Sequence, residues 1–173
     1  MIITGGKYKG QKIIAPNEKI TRPTLSKVRQ GVFNTLYSLI GDFNNKTFLD
    51  MFGGSGIMGL EALSRGFDNV IVFEKNSKVA QVLKNNYLKL KQTPNLLIGD
   101  SLKLIKKIQT DIDVIYIDPP YYSGIYEEIF KELKKLELKN TIIVSEHSLP
   151  IKIEDFELIK TKSYGDKIIY FFR

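Results

Sequence analysis

From Thr47 onward the chain repeats one local pattern: a short apolar run rich in β-branched residues, an acid at or just after its end, then a stretch with helical spacing of apolar residues. The runs are Thr47-Phe48-Leu49-Asp50, Val70-Ile71-Val72-Phe73 before Glu74, Asn95-Leu96-Leu97-Ile98 before Gly99-Asp100, and Asp113-Val114-Ile115-Tyr116-Ile117 before Asp118. Strand-helix-strand units joined by right-handed crossovers build a doubly wound parallel sheet, so few architectures suit this alternation. In such a sheet all the carboxyl ends of the strands lie on one edge, where ligands bind. Asp50, Glu74, Asp100 and Asp118 are therefore expected on that edge together. Thr141-Ile142-Ile143-Val144-Ser145 continues the series, and the connection from Glu146 to Phe156 is too short for a long crossover helix. Two further strands, at residues 156 to 160 and 167 to 171, flank the turn Gly165-Asp166 and close the sheet as an antiparallel hairpin. The expected fold class is α/β, with a doubly wound, mostly parallel, seven-stranded sheet.

Ahead of this core, Ile2-Ile3-Thr4 and Gln11-Lys12-Ile13-Ile14 read as a small hairpin around Gly5-Gly6-Lys7-Tyr8-Lys9-Gly10. A helix follows, with Leu25, Val28, Val32, Leu36 and Leu39 on one face; Lys27 and Arg29 lie off that stripe and are expected to face a ligand or solvent. The Asn-rich linker from Gly41 to Lys46 divides an amino-terminal extension, 1–40, from the main domain, 41–173.

Charge separates these parts. The net charge is +7, and residues 1 to 40 hold Lys7, Lys9, Lys12, Lys19, Arg22, Lys27 and Arg29 against the single acid Glu18, which accounts for nearly all of it. A localised basic arm with an aromatic at its tip suits a polyanion, most simply nucleic acid, with Lys and Arg on phosphates and Tyr8 on a base. Cysteine is absent and His147 is the only histidine, which excludes disulfides and thiolate metal sites and leaves no set of histidines to build a metal or triad site. His147 itself is expected on the surface or in a loop. No apolar run approaches the length of a membrane span, and the amino terminus lacks the apolar core of a signal peptide, so a cytoplasmic location is expected; a monomer is the expected state.

At the first strand's end, Gly54-Ser55-Gly56-Ile57-Met58-Gly59 has the spacing of a dinucleotide fingerprint, with Glu74 about 20 residues on. Asp50 argues against a dinucleotide, because a carboxylate at the start of the loop repels a pyrophosphate and attracts a cationic amine. S-adenosylmethionine carries such an amine and no phosphate. Its expected binding set is then Asp50, Phe52, Gly53, Gly54, Ser55 and Gly56, with Glu74 accepting the ribose hydroxyls, Asp100 the adenine amine, and Lys75, Ser101 and Asp118 completing it. Ser101 is expected to cap the helix behind Asp100.

Asp118-Pro119-Pro120-Tyr121 is the other constellation. Two prolines end the strand because neither donates a ladder hydrogen bond, so the acid, the Pro119 carbonyl and the Tyr121 ring are held in a rigid turn. An acceptor-rich clamp with an aromatic lid suits a planar amine and would hold adenine as readily as guanine.

These blocks carry a family resemblance. Asp50-Met51-Phe52-Gly53-Gly54-Ser55-Gly56 resembles the first motif of S-adenosylmethionine-dependent methyltransferases. Asp118-Pro119-Pro120-Tyr121 resembles the motif of those that methylate exocyclic amines of nucleobases. Gly5-Gly6-Lys7-Tyr8-Lys9-Gly10, Arg22-Pro23-Thr24, Val28-Arg29, Phe33-Asn34 and residues 59 to 66 are similar to the bacterial 16S rRNA guanine-N2 methyltransferases that act on guanine 966. The resemblance covers nearly the whole chain. It implies S-adenosylmethionine as methyl donor with no metal, catalysis at Asp118, Pro119, Pro120 and Tyr121, and RNA contacts from Lys7, Tyr8, Lys9, Arg22, Thr24, Lys27 and Arg29. The implied partner is 16S rRNA within a small-subunit assembly particle. A DNA adenine-N6 methyltransferase uses the same turn but normally carries a sizeable target-recognition domain, and only about 40 residues lie outside this sheet. A non-catalytic RNA-binding module is the reading from another class.

Overall fold

The computed structural model describes residues 1–16, 25–120 and 124–173. In chain order the elements are α1 (Ser26–Ile40), β1 (Thr47–Asp50), α2 (Ile57–Arg65), β2 (Asn69–Glu74), α3 (Ser77–Lys89), β3 (Asn95–Ile98), α4 (Ser101–Ile105), β4 (Val114–Ile117), α5 (Tyr126–Lys134), β5 (Ile142–His147), β6 (Leu158–Tyr164) and β7 (Lys167–Phe172). The sheet has seven strands in the order β3-β2-β1-β4-β5-β7-β6. β1 to β5 pair in parallel, while β7 runs antiparallel to both β5 and β6. The strand order reverses between β1 and β4, and in such sheets ligands bind outside the carboxyl ends of the strands at this switch point.

Alternation of side chains along each strand sends two apolar sets to opposite faces. Phe48, Val72, Val114, Tyr116, Val144 and Phe171 pack with α1, α2 and α3, whereas Leu49, Phe73, Ile115, Ile117, Ile143 and Phe172 pack with α4 and α5. Both faces are covered, which is why β1 and β4 are buried along their whole length and read as continuous apolar runs. Phe33 of α1 lies within 5.6 Å of Phe48 and 6.4 Å of Phe67, ring centre to ring centre, so the amino-terminal extension shares a core with the sheet. Among the described residues no helix is long and apolar enough to cross a membrane.

Several expectations are corrected. The first hairpin is reduced to the single bridge Ile2 to Lys12, flanked by Ile3 N–H to the Gln11 carbonyl at 3.0 Å. Leu25 caps α1 from outside, and at 53% exposure it is not on the packed face; that face is Val28, Arg29, Val32, Phe33, Thr35 and Leu36. His147 is neither a surface nor a loop residue but a buried member of β5. The last hairpin runs further than expected, with β6 extending to Tyr164.

The extension is clamped to α2. Glu61 accepts from Thr4 N–H at 2.8 Å, Thr4 Oγ1 at 2.6 Å and Arg65 Nε at 2.8 Å. At the end of α2, Ser64 carbonyl accepts from Lys7 N–H and Ser64 Oγ accepts from Tyr8 N–H. Gly6 is required by this approach: its φ is +73°, and a Cβ there would sit 1.7 Å from the Ser64 carbonyl oxygen.

Candidate active site

The four acids do line the carboxyl edge. Asp50 ends β1 beside β4, with Met51 N–H donating to the Tyr116 carbonyl at 3.0 Å. The glycine loop then turns back over β2: Gly53 N–H reaches the Phe73 carbonyl at 2.7 Å, and a Cβ on Gly53 would lie 2.3 Å from Val72 Cγ1. Gly54 N–H donates to Glu74 Oε2 at 2.9 Å, and Asn76 N–H donates to Glu74 Oε1 at 2.7 Å. Glu74 thus fixes the loop while each oxygen keeps a further lone pair for a ligand. Gly56, at φ +80°, ends the loop and opens α2.

Asp50 is 1% exposed and accepts from Phe52 N–H at 3.1 Å. Burial pushes its pKa up from 3.8 to about 7, against the lowering effect of the Phe52 bond, and the Glu74 charge pushes the same way as burial. Such an acid gains from a cationic amine, which would return it to the carboxylate form.

Asp100 lies on the same edge and is half-buried, with 30% of its side chain exposed. It is the N-cap of α4, accepting from Leu102 N–H at 3.1 Å, and its other oxygen accepts from Lys75 Nζ at 3.2 Å. Residual desolvation opposes these contacts, and the Lys75 and backbone donors hold its pKa below the usual aspartate value. The expected cap by Ser101 is corrected: Ser101 is the first helical residue, and its hydroxyl donates 2.6 Å to the Met51 carbonyl, tying α4 to the loop after Asp50. The sequence favours this because Asp100 already fills the capping position.

Asp118 follows β4 at the switch point, two residues beyond Tyr116, which pairs with Asp50 across β1 and β4, and it is followed by buried Pro119 and exposed Pro120. Tyr121, Arg22 and Thr24 lie outside the described residues. Among the basic candidates, Lys7 and Lys9 are exposed and Lys7 Nζ stands 5.3 Å over the half-buried Tyr8 ring. They sit at the carboxyl end of α2, which is the amino edge of the sheet, the opposite edge from Asp118. Exposed Lys27 is nearer the acids: a Cβ on Gly31 would meet the Tyr164 hydroxyl at 1.8 Å, and Tyr164 ends β6 at the carboxyl edge. Arg29 is corrected outright. It faces neither ligand nor solvent: it is 1% exposed, donates 2.6 Å to the Ile2 carbonyl, and stands 3.7 Å from Glu61 Oε2, so it braces the extension from inside the protein.

One residue of the site escapes sequence reading. Asn86, buried on α3, donates to the Ser55 and Ile14 carbonyls at 2.9 Å each and accepts from Ile14 N–H at 3.0 Å, pinning the glycine loop to the extension. Its signal was an amide in register with Val79, Leu83 and Tyr87 on the apolar face of α3.

The comparisons with known proteins agree in kind. The whole chain, residues 1–173, matches the family described as Conserved hypothetical protein 95. Ribosomal RNA small subunit methyltransferase D of Haemophilus influenzae is 32% identical over 94% of this chain and 88% of its own length. The protein of the same name from Buchnera aphidicola of Acyrthosiphon pisum is 35% identical over 83% and 76%. The solved structure of Escherichia coli yhhF superposes with a TM-score of 0.85 at 26% identity, covering 99% of this chain and 96% of that one. The chain belongs to the Conserved hypothetical protein 95 family.

Proposed function

We propose that this protein transfers a methyl group from S-adenosylmethionine to the exocyclic N2 amine of a guanine in 16S rRNA, with guanine 966 the expected target. The observation that carries the reading is that β4, which leads into Asp118-Pro119-Pro120, pairs with β1, which ends in the buried acid Asp50 and the glycine loop, so both constellations lie on one edge at the switch point. Relatives named for methylation of small-subunit rRNA support the same substrate class.

The donor set fits the cofactor. Asp50 would hold its amine, Glu74 its ribose hydroxyls, and Asp100 the adenine amine with Lys75 alongside, while Phe52, Gly53, Gly54, Ser55 and Gly56 shape the wall. Ser101 acts behind this set through the Met51 carbonyl. S-adenosylmethionine supplies an electrophilic methyl on a sulfonium sulfur that leaves as a neutral thioether.

The chain's own residues deal with the nucleophile. The guanine N2 lone pair is delocalised into the ring and attacks poorly until its hydrogens are held by acceptors. The Asp118 carboxylate and the Pro119 carbonyl accept the two N–H groups, Pro120 keeps the turn rigid, and Tyr121 stacks on the base. This localises the lone pair on nitrogen, and the Asp118 carboxylate takes the proton as the new C–N bond forms. Because a paired or stacked base hides that amine, the nucleotide must enter unpaired or flipped. Lys7, Tyr8, Lys9 and Lys27, with Arg22 and Thr24, would hold the surrounding RNA.

The test is labelled methyl transfer to 16S rRNA, naked and within small-subunit assembly particles, followed by mapping of the modified base by mass spectrometry. Methylated N2-guanine supports the reading. Label on adenine N6 in DNA would replace it with the DNA enzyme, and failure to bind S-adenosylmethionine in calorimetry would leave a non-catalytic RNA-binding module.

A further inference from the structure

Behind Asp118 lies a buried charged cluster for which the chemistry above has no use. Glu146 is 2% exposed within β5, and Lys167 at the start of β7 is 8% exposed. Lys167 Nζ donates to Glu146 Oε1 at 2.7 Å, and the Tyr116 hydroxyl donates to Glu146 Oε2 at 2.8 Å. The Glu146 backbone carbonyl accepts from the Tyr126 hydroxyl at 2.5 Å. Tyr116 is two residues before Asp118, and Tyr126 opens α5, the helix that follows the turn. One residue therefore holds the strand entering the Asp118 turn by its side chain and the helix leaving it by its main chain. Ile117 pairs with Ser145, so Asp118 departs from β4 level with Glu146.

A buried ion pair contributes little net stability compared with an apolar pair of similar size, so this one calls for another account. Its place next to the clamp acid supplies one. Two carboxylates side by side at a partly dry strand end would favour uptake of a proton, and the Lys167 cation offsets that. We propose that Glu146, clasped by Lys167 and Tyr116, is the positioning residue of the Asp118 clamp, setting the turn's geometry and keeping its acid available as an acceptor. The inference rests on the reading of Asp118 given above.

Several of the described groups face this cluster. Tyr116 and Asp118 come from β4, Lys167 from β7, Asp50 from β1 and Arg29 from α1. The Tyr116 hydroxyl is pushed well above its ordinary pKa by burial first, then by the Glu146 and Asp118 charges, so it stays a donor. His147 points to the other face of β5, where its Nε2 shares a 2.6 Å hydrogen bond with Ser145 Oγ and its ring lies 4.0 Å from that of Tyr126. Burial and the Lys167 charge lower its pKa to about 4, so it adds no cation at neutral pH.

The experiment uses the full chain. Transfer of labelled methyl to rRNA is followed against pH for wild type, Lys167→Met, Glu146→Gln and the double variant, with S-adenosylmethionine affinity measured by calorimetry. Lys167→Met should lower kcat at least about tenfold and move the acidic limb of the kcat profile up by about one pH unit, with cofactor affinity within about twofold of wild type. The double variant, which removes both charges of the pair together, should return the limb to its wild-type position and recover most of kcat. A second measurement needs no activity: hydrogen exchange over residues 116 to 126 should quicken in Tyr126→Phe and in Glu146→Gln. Wild-type pH profiles and exchange in folded single variants would overturn the proposal, as would a double variant no better than Lys167→Met. Inactivity of the wild type toward every RNA tested would instead count against the proposed function, and the exchange measurement would still decide the positioning role.

Discussion

Arg29 and Glu61 stand 3.7 Å apart, Nε to Oε2, with 1% and 0% of their side chains exposed, and they join α1 to α2 inside the protein. Thr4 and Arg65 complete the acid's shell, so the basic extension is bound to the sheet domain by a buried charge network rather than by its apolar residues alone. Burial lowers the Arg29 pKa from its ordinary value, and the Glu61 charge works against that. Glu61→Ala strands this guanidinium in the interior and should cost about 3–5 kcal/mol, read as a fall in the urea midpoint with an unchanged m-value.

The same pair separates bracing from RNA contact. Neutralising Lys7 and Lys9 together should flatten the salt dependence of RNA binding by up to about two units of slope. Arg29→Met should lower stability and leave that slope as in wild type. A slope that falls in folded Arg29→Met protein would restore Arg29 to the recognition surface.

The clamp and the cofactor site should part company in mutants. Asp118→Ala is expected to reduce methyl transfer at least about a thousandfold while calorimetric affinity for S-adenosylmethionine stays within severalfold. Asp50→Ala is expected to weaken that affinity directly. Transfer at the wild-type rate by Asp118→Ala would sink the clamp mechanism.

Asp50 makes stability depend on pH in a definite direction. Its folded pKa of about 7 lies above the 3.8 of the free side chain, so the folded state holds an extra proton between these values. The ligand-free protein is therefore most favoured below pH about 4 from this group and loses up to about 4 kcal/mol as pH rises through 7. His147 acts in the opposite sense, since its lowered pKa costs stability as pH falls from 6.5 toward 4. Subtracting urea unfolding curves of Asp50→Asn from wild type cancels the His147 contribution. The variant should gain on wild type as pH rises from 5 to 8.5, and a constant difference would mean that Asp50 is not perturbed.

Asn86→Ala would leave the Ser55 and Ile14 backbone groups unpaired inside the protein. A loss of about 2–3 kcal/mol is expected, together with weaker S-adenosylmethionine binding, because the glycine loop loses its tie to the extension. Loss of stability with wild-type cofactor affinity would show that the loop holds its shape without Asn86.

Local pattern determined much of this protein. The short apolar runs ending in acids and the glycine loop after Asp50 are properties of neighbouring residues, so the seven-stranded sheet and the edge with Asp50, Glu74, Asp100 and Asp118 were legible before any coordinates. Tertiary structure decided what depends on a distant partner. Arg29 looked exposed because Glu61 is 32 positions away, Asn86 looked idle because Ile14 is 72 away, and Ser101 looked like a cap because the Met51 carbonyl is 50 away. The glycine-rich tip with Lys7 and Lys9 lies at the far edge from Asp118 because α2, on which it is pinned, runs antiparallel to the strands. A buried polar group must find its hydrogen-bond partner somewhere in space, and sequence position does not say where.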